Sequence, residues 1–457
     1  MEEIIDNLPT LRTSTDAEDK EYYGRDWTRF WKPDPCAVAF PESTEEVADL
    51  VAWARQNGTA LVPSGGRTGL SGGAVASRQE MVVSLERMRG LVEMDEADAS
   101  LTVQAGMTVG EVQRRAVEAG LYYPVDWAAA ESSQVGGSIA TNAGGIRVLR
   151  YGMTRDWVRG LKVVTGTGEV LELNRGLIKN NSGYDLRHLF VGSEGTLGLI
   201  TEATLGLAPP PAGQSVLLLG FASLEAVMPV FSLLRQRLGL SAFEFFDRAS
   251  LEQVAEHTGN PLPLETECPF HAIVEFDDAD GSCQDAALEA FEAAVESEWV
   301  VDGVISQSQA QAEELWQWRE AISEAIAPRT PYKNDLSVRV SRVPEFLTDL
   351  DRLVEAGYPD FQVIWFGHIG DGNLHMNVLK PESWSVEDFH QACSGLSEKV
   401  FEVVRQHGGS LSAEHGVGLL KRDYLGMCRS EAEIRLMREI KRAFDPDGIL
   451  NPGKLLP

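Results

Sequence analysis

The chain has no run of about 18 apolar residues, so nothing in it reads as a membrane-crossing helix. Cysteine is scarce. Cys36, Cys268, Cys283, Cys393 and Cys428 form no C-x-x-C pair, and their odd number and wide spacing argue against a disulfide framework as the organising device. Such sparse thiols suit a reducing compartment, and the cytoplasm is the expected location. Positive charge is also short: 40 Lys and Arg against 69 Asp and Glu leave a formal charge of -29. That balance argues against nucleic acid or an anionic membrane as partner. Any anionic substrate would need its own local cluster of Arg and Lys. The N-terminal stretch MEEIIDNLPTLRTSTDAEDKEYYG lacks the apolar core of a signal peptide. No G-x-G-x-x-G occurs, which leaves a Rossmann site without support. The segment from Gly448 to Lys454 approaches a phosphate-binding P-loop but is followed by Leu455, lacks the Ser or Thr, and follows a helix rather than a strand. Internal repeats and low-complexity tracts are missing too.

What remains is an ordinary globular composition, 43% hydrophobic and 24% charged, over 457 residues, enough for two or three domains. Pro41 to Asn57 predicts a turn and then a helix, with Val47, Leu50, Val51 and Ala54 at helical spacing behind a Ser43/Thr44 cap. Leu61 to Pro63 predicts a short strand entering a loop from Ser64 to Gly73 that holds five glycines. Small residues there let successive backbone N–H groups converge on an anion, most simply a phosphate. A second small-residue segment runs from Gln134 to Gly145, and a third from Asn181 to Gly198 leads into a strand at Ile200. Three such passes suit an extended nucleotide laid across several loops. Leu207 to Gly213, with three consecutive prolines, marks a domain boundary. Beyond it, strands (Ser215 to Leu219, Ala272 to Phe276) alternate with amphipathic helices (Leu224 to Leu238, Ala286 to Glu298), an α+β pattern. A helix is predicted over Ala312 to Ala327, with Arg319 and Ser323 on one face.

The most informative stretch is Trp365 to Leu379, WFGHIGDGNLHMNVL. It holds two of the chain's eight histidines, His368 and His375, around the turn Gly370-Asp371-Gly372. Apolar residues on both sides predict two strands joined by that turn. Alternation puts His375 and Asn377 on one face and Leu374, Met376 and Val378 on the other. About forty positions later comes Ser412-Ala413-Glu414-His415-Gly416. Two His and one Glu form a metal set with a coordination position left open, the arrangement of a catalytic zinc. A lone histidine would more simply satisfy a hydrogen bond at a strand end; glycines beside both clusters favour the metal.

Taken together, the three glycine-rich passes, HIGDGNLH, SAEHGVG and the tail DPDGILNPGK resemble the FAD-linked D-2-hydroxyacid dehydrogenases, a group within the vanillyl-alcohol-oxidase-like flavoproteins. The resemblance covers nearly the whole chain. It implies an α+β fold in three parts: an FAD-binding domain of vanillyl-alcohol-oxidase type over residues 1–210, an antiparallel-sheet substrate cap over 211–410 carrying metal ligands, and a helical C-terminal segment over 411–457 that completes the flavin and active sites. By motif it assigns flavin contacts to Pro63, Ser64, Gly65, Gly66, Arg67, Thr68, Gly69, Leu70 and Ser71, to Gly136, Gly137, Ala140, Thr141, Asn142, Gly144 and Gly145, and to Ile200 and Asn451. It assigns His368, His375 and Glu414 to a divalent metal, zinc by preference, and His415 to the catalytic base, with Asn377 beside the substrate. Arg319, Ser323 and Lys333 match the family's carboxylate-binding Arg, Thr and Lys. Serine keeps the hydroxyl and loses a methyl, and the interval from Arg319 to Lys333 is one residue shorter than the family's. The first glycine loop contains no His or Cys, so no covalent flavin bond is available from it.

The activity implied is oxidation of a small 2-hydroxy acid, with a hydride passing to FAD and a proton to His415. Two cations lean towards a dicarboxylate, D-2-hydroxyglutarate giving 2-oxoglutarate; D-lactate, glycolate and D-malate are the competing substrates. A non-catalytic flavin subunit that only relays electrons is the reading from another class, and such a subunit should have lost the two His, Glu and His that this chain keeps. An electron-transfer flavoprotein is the family's expected acceptor, and a homodimer is compatible with the sequence.

Overall fold

The computed structural model describes residues 11–28 and 30–457; the first ten residues of the stretch read for a leader lie outside them. The chain forms two compact units. The first comprises the described part of Met1–Gly145 with Gly152–Pro210 and Glu414–Pro457; the second comprises Ile146–Tyr151 and Pro211–Ala413. No helix among the described residues is long and apolar enough to cross a membrane.

In the first unit, β1 (Arg12–Ser14), β2 (Ala37–Phe40), β3 (Leu61–Ser64) and β4 (Met81–Ser84) make a sheet of order β1-β2-β4-β3 in which β2, β4 and β3 run parallel. Parallel neighbours need covered crossovers. The helix Thr44–Asn57 supplies one: Ser43 Oγ accepts from the Glu46 amide at 3.2 Å, and Val47, Leu50, Val51 and Ala54 are buried, as their spacing predicts. β5 (Leu91–Asp95), β6 (Ser100–Gln104), β7 (Val158–Thr165), β8 (Val170–Leu173) and β9 (Gly198–Gly206) form a second sheet, antiparallel throughout, of order β5-β6-β9-β7-β8. The C-terminal helix Glu431–Phe444 starts in a Ser430/Glu433 capping box. Its Lys441 Nζ donates to the carbonyls of Thr196 and Leu450, both at 2.9 Å, and pairs with Asp445, whose carboxylate takes the amides of Ile449 and Leu450. The tail then pairs with β3 through Leu61 N to Ile449 O and Asn451 N to Leu61 O, each at 2.8 Å.

The second unit is built on a seven-stranded antiparallel sheet. Its strands are β10 (Gln214–Phe221), β11 (Leu240–Asp247), β12 (Phe270–Asp277), β13 (Asp302–Ile305), β14 (Tyr332–Ser337), β15 (Gln362–Gly367) and β16 (Asn373–Leu379), in the order β13-β10-β12-β11-β15-β16-β14. One face buries Val216, Leu218, Ala242, Phe246, Ile273, Ile364 and Phe366 under Leu251, Leu315, Trp316, Ile322 and Ile326 of the overlying helices. On the other, Phe243 meets Phe231 of the helix Val227–Arg237 edge-on at 5.0 Å. The excursion Ile146–Tyr151 docks on the first face, through Arg147 on Glu275, and reaches Asp277 of the same strand through Arg150.

One expectation is corrected. The helix foreseen over Ala312 to Ala327 is two helices, Gln309–Glu320 and Ile322–Ala325, broken at Ala321. Ile322 and Ile326, fully buried, take the inward positions. Ser323 is exposed while Arg319 is buried.

Candidate active site

The register of the second sheet decides which side chains meet. Lys333 lies opposite Asn377 and Asp335 opposite His375 across β14 and β16; Ile364 and Phe366 of β15 face the same Asn377 and His375. Phe246 of β11 pairs with Phe366, so Glu244, two residues earlier, lies on that face as well. Side chains of directly opposed residues share a face. A polar group of Lys333, Asp335, His375, Asn377 and Glu244 therefore borders an apolar cluster. The β15–β16 hairpin agrees with its sequence pattern. Gly372 turns it with a φ of 88°, where a Cβ would lie 2.1 Å from the Val338 carbonyl oxygen. Only glycine fits there.

The turn carries His368, whose Nδ1 lies 2.7 Å from Glu244 Oε1. Glu244 Oε2 is 2.9 Å from Arg319 Nη2, and the guanidinium lies over the Phe366 ring at 4.7 Å. That Arg–Glu approach is a contact of charges without an aimed N–H: neither Glu244 Oε2 nor Arg319 Nε has a directed hydrogen bond. Burial would raise the Glu244 carboxyl, but His368 and Arg319 outweigh it and hold it below the usual range. Asp335, fully buried, accepts from Asn373 Nδ2 at 2.8 Å and from the Ala413 amide at 3.0 Å, and stands 3.7 Å from His375 Nδ1. Ala413 is where the chain leaves this sheet, and Glu414 and His415 follow by one and two peptide bonds. In this unit the His368 and His375 rings stand edge to face with centroids 5.3 Å apart. Two imidazoles this close, with Glu244 and Asp335 behind them, suit a divalent cation. Lys333 is a cation in a half-buried position, its ammonium pKa lowered by burial alone, with no carboxylate paired to it among the described residues. Ser323, exposed, is not brought into this group.

In the first unit the glycine loop follows β3. Gly66 packs so tightly that a Cβ would sit 1.9 Å from the Ser132 oxygen, and at Gly145 one would sit 1.8 Å from the Asp126 oxygen. Gly136 abuts Ala105, whereas a side chain at Gly137 would point into open space. Among the described residues, no protein acceptor takes the amides from Gly65 to Ser71. A run of unclaimed donors beside close-packed glycines is a cradle for a polyanion such as a pyrophosphate. Thr68 is held by Ser133 at 2.9 Å. The Arg67 guanidinium bonds the Gly65 carbonyl and the Tyr22 hydroxyl and lies over the Tyr22 and Tyr23 rings. Thr141 bonds back to Gly137, Asn142 closes the helix Val135–Thr141 in a left-handed conformation, and Ala140 accepts from the Glu194 amide. Ile200 lies buried in β9. Asn451 donates to the carbonyls of Gly73 and Glu194 at 2.9 and 2.7 Å, clamping two of the glycine passes. Its Oδ1, like Gln134 Oε1, is buried without a partner, a polar edge suited to a bound cofactor.

Three residues escaped the sequence reading. Glu244 and Asp335 stand behind the histidines. Glu194 receives the Val417 and Gly418 amides at 2.7 and 2.8 Å, and burial raises its pKa in spite of them. The signal for Glu244 was present: a carboxylate in the apolar strand Ala242-Phe243-Glu244-Phe245-Phe246. Glu194 likewise sits alone among small residues.

Two family models match this chain, one described as an FAD binding domain over residues 35–174 and one as the C-terminal domain of FAD linked oxidases over residues 210–455. The chain belongs to the FAD-linked oxidase family and is an FAD-dependent oxidoreductase. It is 54% identical to a D-2-hydroxyglutarate dehydrogenase of Xanthomonas citri pv. viticola, over 98% of this chain and 95% of the relative. It is 51% identical to a D-2-hydroxyglutarate dehydrogenase of Stutzerimonas stutzeri, over 99% and 98%. The fold is also that of a 4-ethylphenol oxidase from Gulosibacter chungangensis, with a TM-score of 0.74 at 18% identity, covering all of this chain and 98% of the other. It is the vanillyl-alcohol-oxidase architecture that the motifs implied.

Proposed function

We propose that this chain oxidises D-2-hydroxyglutarate to 2-oxoglutarate, with non-covalent FAD and a divalent metal, zinc by preference, held by His368, His375 and Glu414. The observation that carries the substrate is Lys333. A cation set opposite Asn377, on the face of His375, stripped of much of its water and given no carboxylate of its own among the described residues, is an anion site in waiting. Arg319 supplies the second positive charge, which a dicarboxylate uses and a monoacid does not. The names of the two bacterial relatives support the same choice.

Bound FAD supplies the hydride acceptor. A bound metal lowers the pKa of a hydroxyl and orients it. The chain's own residues do the rest. Lys333 and Arg319 orient the two carboxylates, Asn377 lies beside the reacting carbon, and neutral His415 receives the hydroxyl proton. General-base help of that kind is worth about 10²–10⁴ in rate. The absence of His and Cys from Ser64 to Gly73 supports a flavin without a covalent tether from that loop. Electrons then pass to an external acceptor, an electron-transfer flavoprotein by family expectation. A cytoplasmic enzyme is consistent with the cysteines, which form no disulfide among the described residues.

A dye-reduction screen of D- and L-2-hydroxyglutarate, D-malate, D-lactate and glycolate tests this reading. D-2-hydroxyglutarate should have the highest kcat/KM. Preference for D-lactate would overturn the substrate, and no reduction of the flavin by any of the five would favour an electron-relay subunit. The denatured protein should release about one FAD per chain into the supernatant, whereas flavin fluorescence on the polypeptide in a denaturing gel would refute the non-covalent reading.

A further inference from the structure

We infer that Glu244 is a positioning residue shared by two functions: it fixes His368 as a metal ligand and, through its other oxygen, engages the carboxylate-binding Arg319. The inference rests on the metal and substrate reading above and concerns a residue that reading does not use. An ionised carboxylate only accepts hydrogen bonds. His368 Nδ1, 2.7 Å from Glu244 Oε1, therefore carries the imidazole proton, and Nε2 is the atom left with a lone pair for a cation. Carboxylates behind histidine ligands set ring orientation and ligand basicity in this way.

The bland alternative makes Glu244 merely the counter-ion of a buried arginine. The geometry favours the first. The contact with His368 is short and directed, whereas the Arg319 contact aims no N–H at Glu244 Oε2 and leaves Arg319 Nε without a partner. A side chain selected to neutralise Arg319 would satisfy that guanidinium first. The same arginine lies over Phe366, whose ring is 5.1 Å from that of His375. Arg319 thus borders one histidine ligand through Glu244 and the other through Phe366. Glu244 restrains Arg319 by charge, and a substrate carboxylate must compete with it for that guanidinium.

Two opposite signs follow for Glu244→Gln in the full-length, FAD-loaded protein. Zinc affinity, measured by competition with a chromophoric chelator, should fall about 10–100-fold, the usual cost of losing such a partner. KM for D-2-hydroxyglutarate at saturating zinc should fall, because Arg319 is released from its competitor. FAD content should match the parent. Unchanged zinc affinity overturns the positioning role, and a raised KM at saturating zinc overturns the sharing with Arg319. A parent that binds no zinc sinks the metal reading and this inference with it; a parent that binds zinc no better than Glu244→Gln sinks the inference alone. Should Glu244→Gln fail to yield flavin-loaded protein, Glu244→Asp decides by the same titration. It keeps the charge but draws it back from His368, so zinc affinity should lie below the parent's, and parental affinity overturns the proposal.

Discussion

Glu275 and Glu244 lie on one face of the same sheet, both almost fully buried and each facing an arginine, yet their surroundings differ in kind. Glu275 takes five donors: Arg147 twice, Gln214, Ser241 and the Trp316 indole, at 2.6–3.0 Å. All of its lone-pair directions are used. Glu244 has one directed bond, to His368, and a charge contact with an arginine that is itself incompletely bonded. A buried carboxylate is tolerable only with partners. Where the partners are complete, as at Glu275, the network holds the excursion Ile146–Tyr151 against the sheet and has no capacity left. Around Glu244 they are incomplete: its Oε2 and Arg319 Nε lack a directed bond, and Lys333 on the same face has no carboxylate partner among the described residues.

The comparison is broken most severely where the chemistry sits. His415→Ala should lower anaerobic flavin reduction by about 10²–10⁴-fold while metal and FAD content stay at the parent's level, since only a proton acceptor is lost. Glu414→Ala should lose metal and activity together, because two histidines alone hold a divalent ion weakly; chelator treatment of the parent should mimic it, with zinc restoring activity. Metal analysis of the two variants reads the outcome, and the reverse pattern would exchange the ligand and the base.

Glu275→Ala tests the saturated end. Removing one partner of a buried ion pair costs about 3–5 kcal/mol, so the melting temperature should drop sharply. Zinc affinity in the folded fraction should be unchanged. If zinc affinity fell as it should in Glu244→Gln, the distinction between a finished network and a poised one would fail.

How much of this was legible beforehand follows the same division. The β15–β16 hairpin, with His375 and Asn377 on its polar side, could be read from alternation and two glycines because strand period and turn chemistry are local. The helix cap at Ser43 is local as well. Glu244 and Asp335 could not be placed behind the histidines, because their positions depend on pairing β11 with β15 and β14 with β16, and register between distant strands leaves no local mark. The break at Ala321 was hidden as well: alanine is the strongest helix former, so nothing local marks an interruption there.

Lys333→Ala sharpens the poised end at smaller cost. It removes one charged hydrogen-bond partner, worth about 1.5–3 kcal/mol, or roughly 10–100-fold in KM. The loss should be larger for D-2-hydroxyglutarate than for D-lactate, with the flavin spectrum unchanged. Because the surface charge is strongly negative, no other region compensates. Wild-type kinetics on both acids would reduce Lys333 to a bystander.

The smallest effect should come from a third carboxylate of the same sheet, on the strand of Glu244. Asp247 caps the helix Arg248–Thr258, accepting from the Ser250 amide and hydroxyl on one oxygen and from the Trp365 amide on the other. No cation opposes its burial, which pushes its pKa up to about 6, whereas Glu244 on the same strand is held low by its contacts with His368 and Arg319. A carboxyl whose folded pKa is raised binds its proton more tightly in the folded chain than in the unfolded one. Stability from this group is therefore greatest in acid and declines as pH climbs through the interval from about 4 to about 6, then stays level. Asp247→Asn turns a donor towards the Trp365 amide and should cost about 1 kcal/mol at every pH. It also removes the titration, so the variant should gain on the parent as pH rises through that interval and keep a constant offset above it. Melting temperatures of both proteins at several pH values from 4 to 8 supply the test. A constant offset across the whole range would mean that Asp247 titrates alike in folded and unfolded chains, and that burial without a cation does not separate it from Glu244.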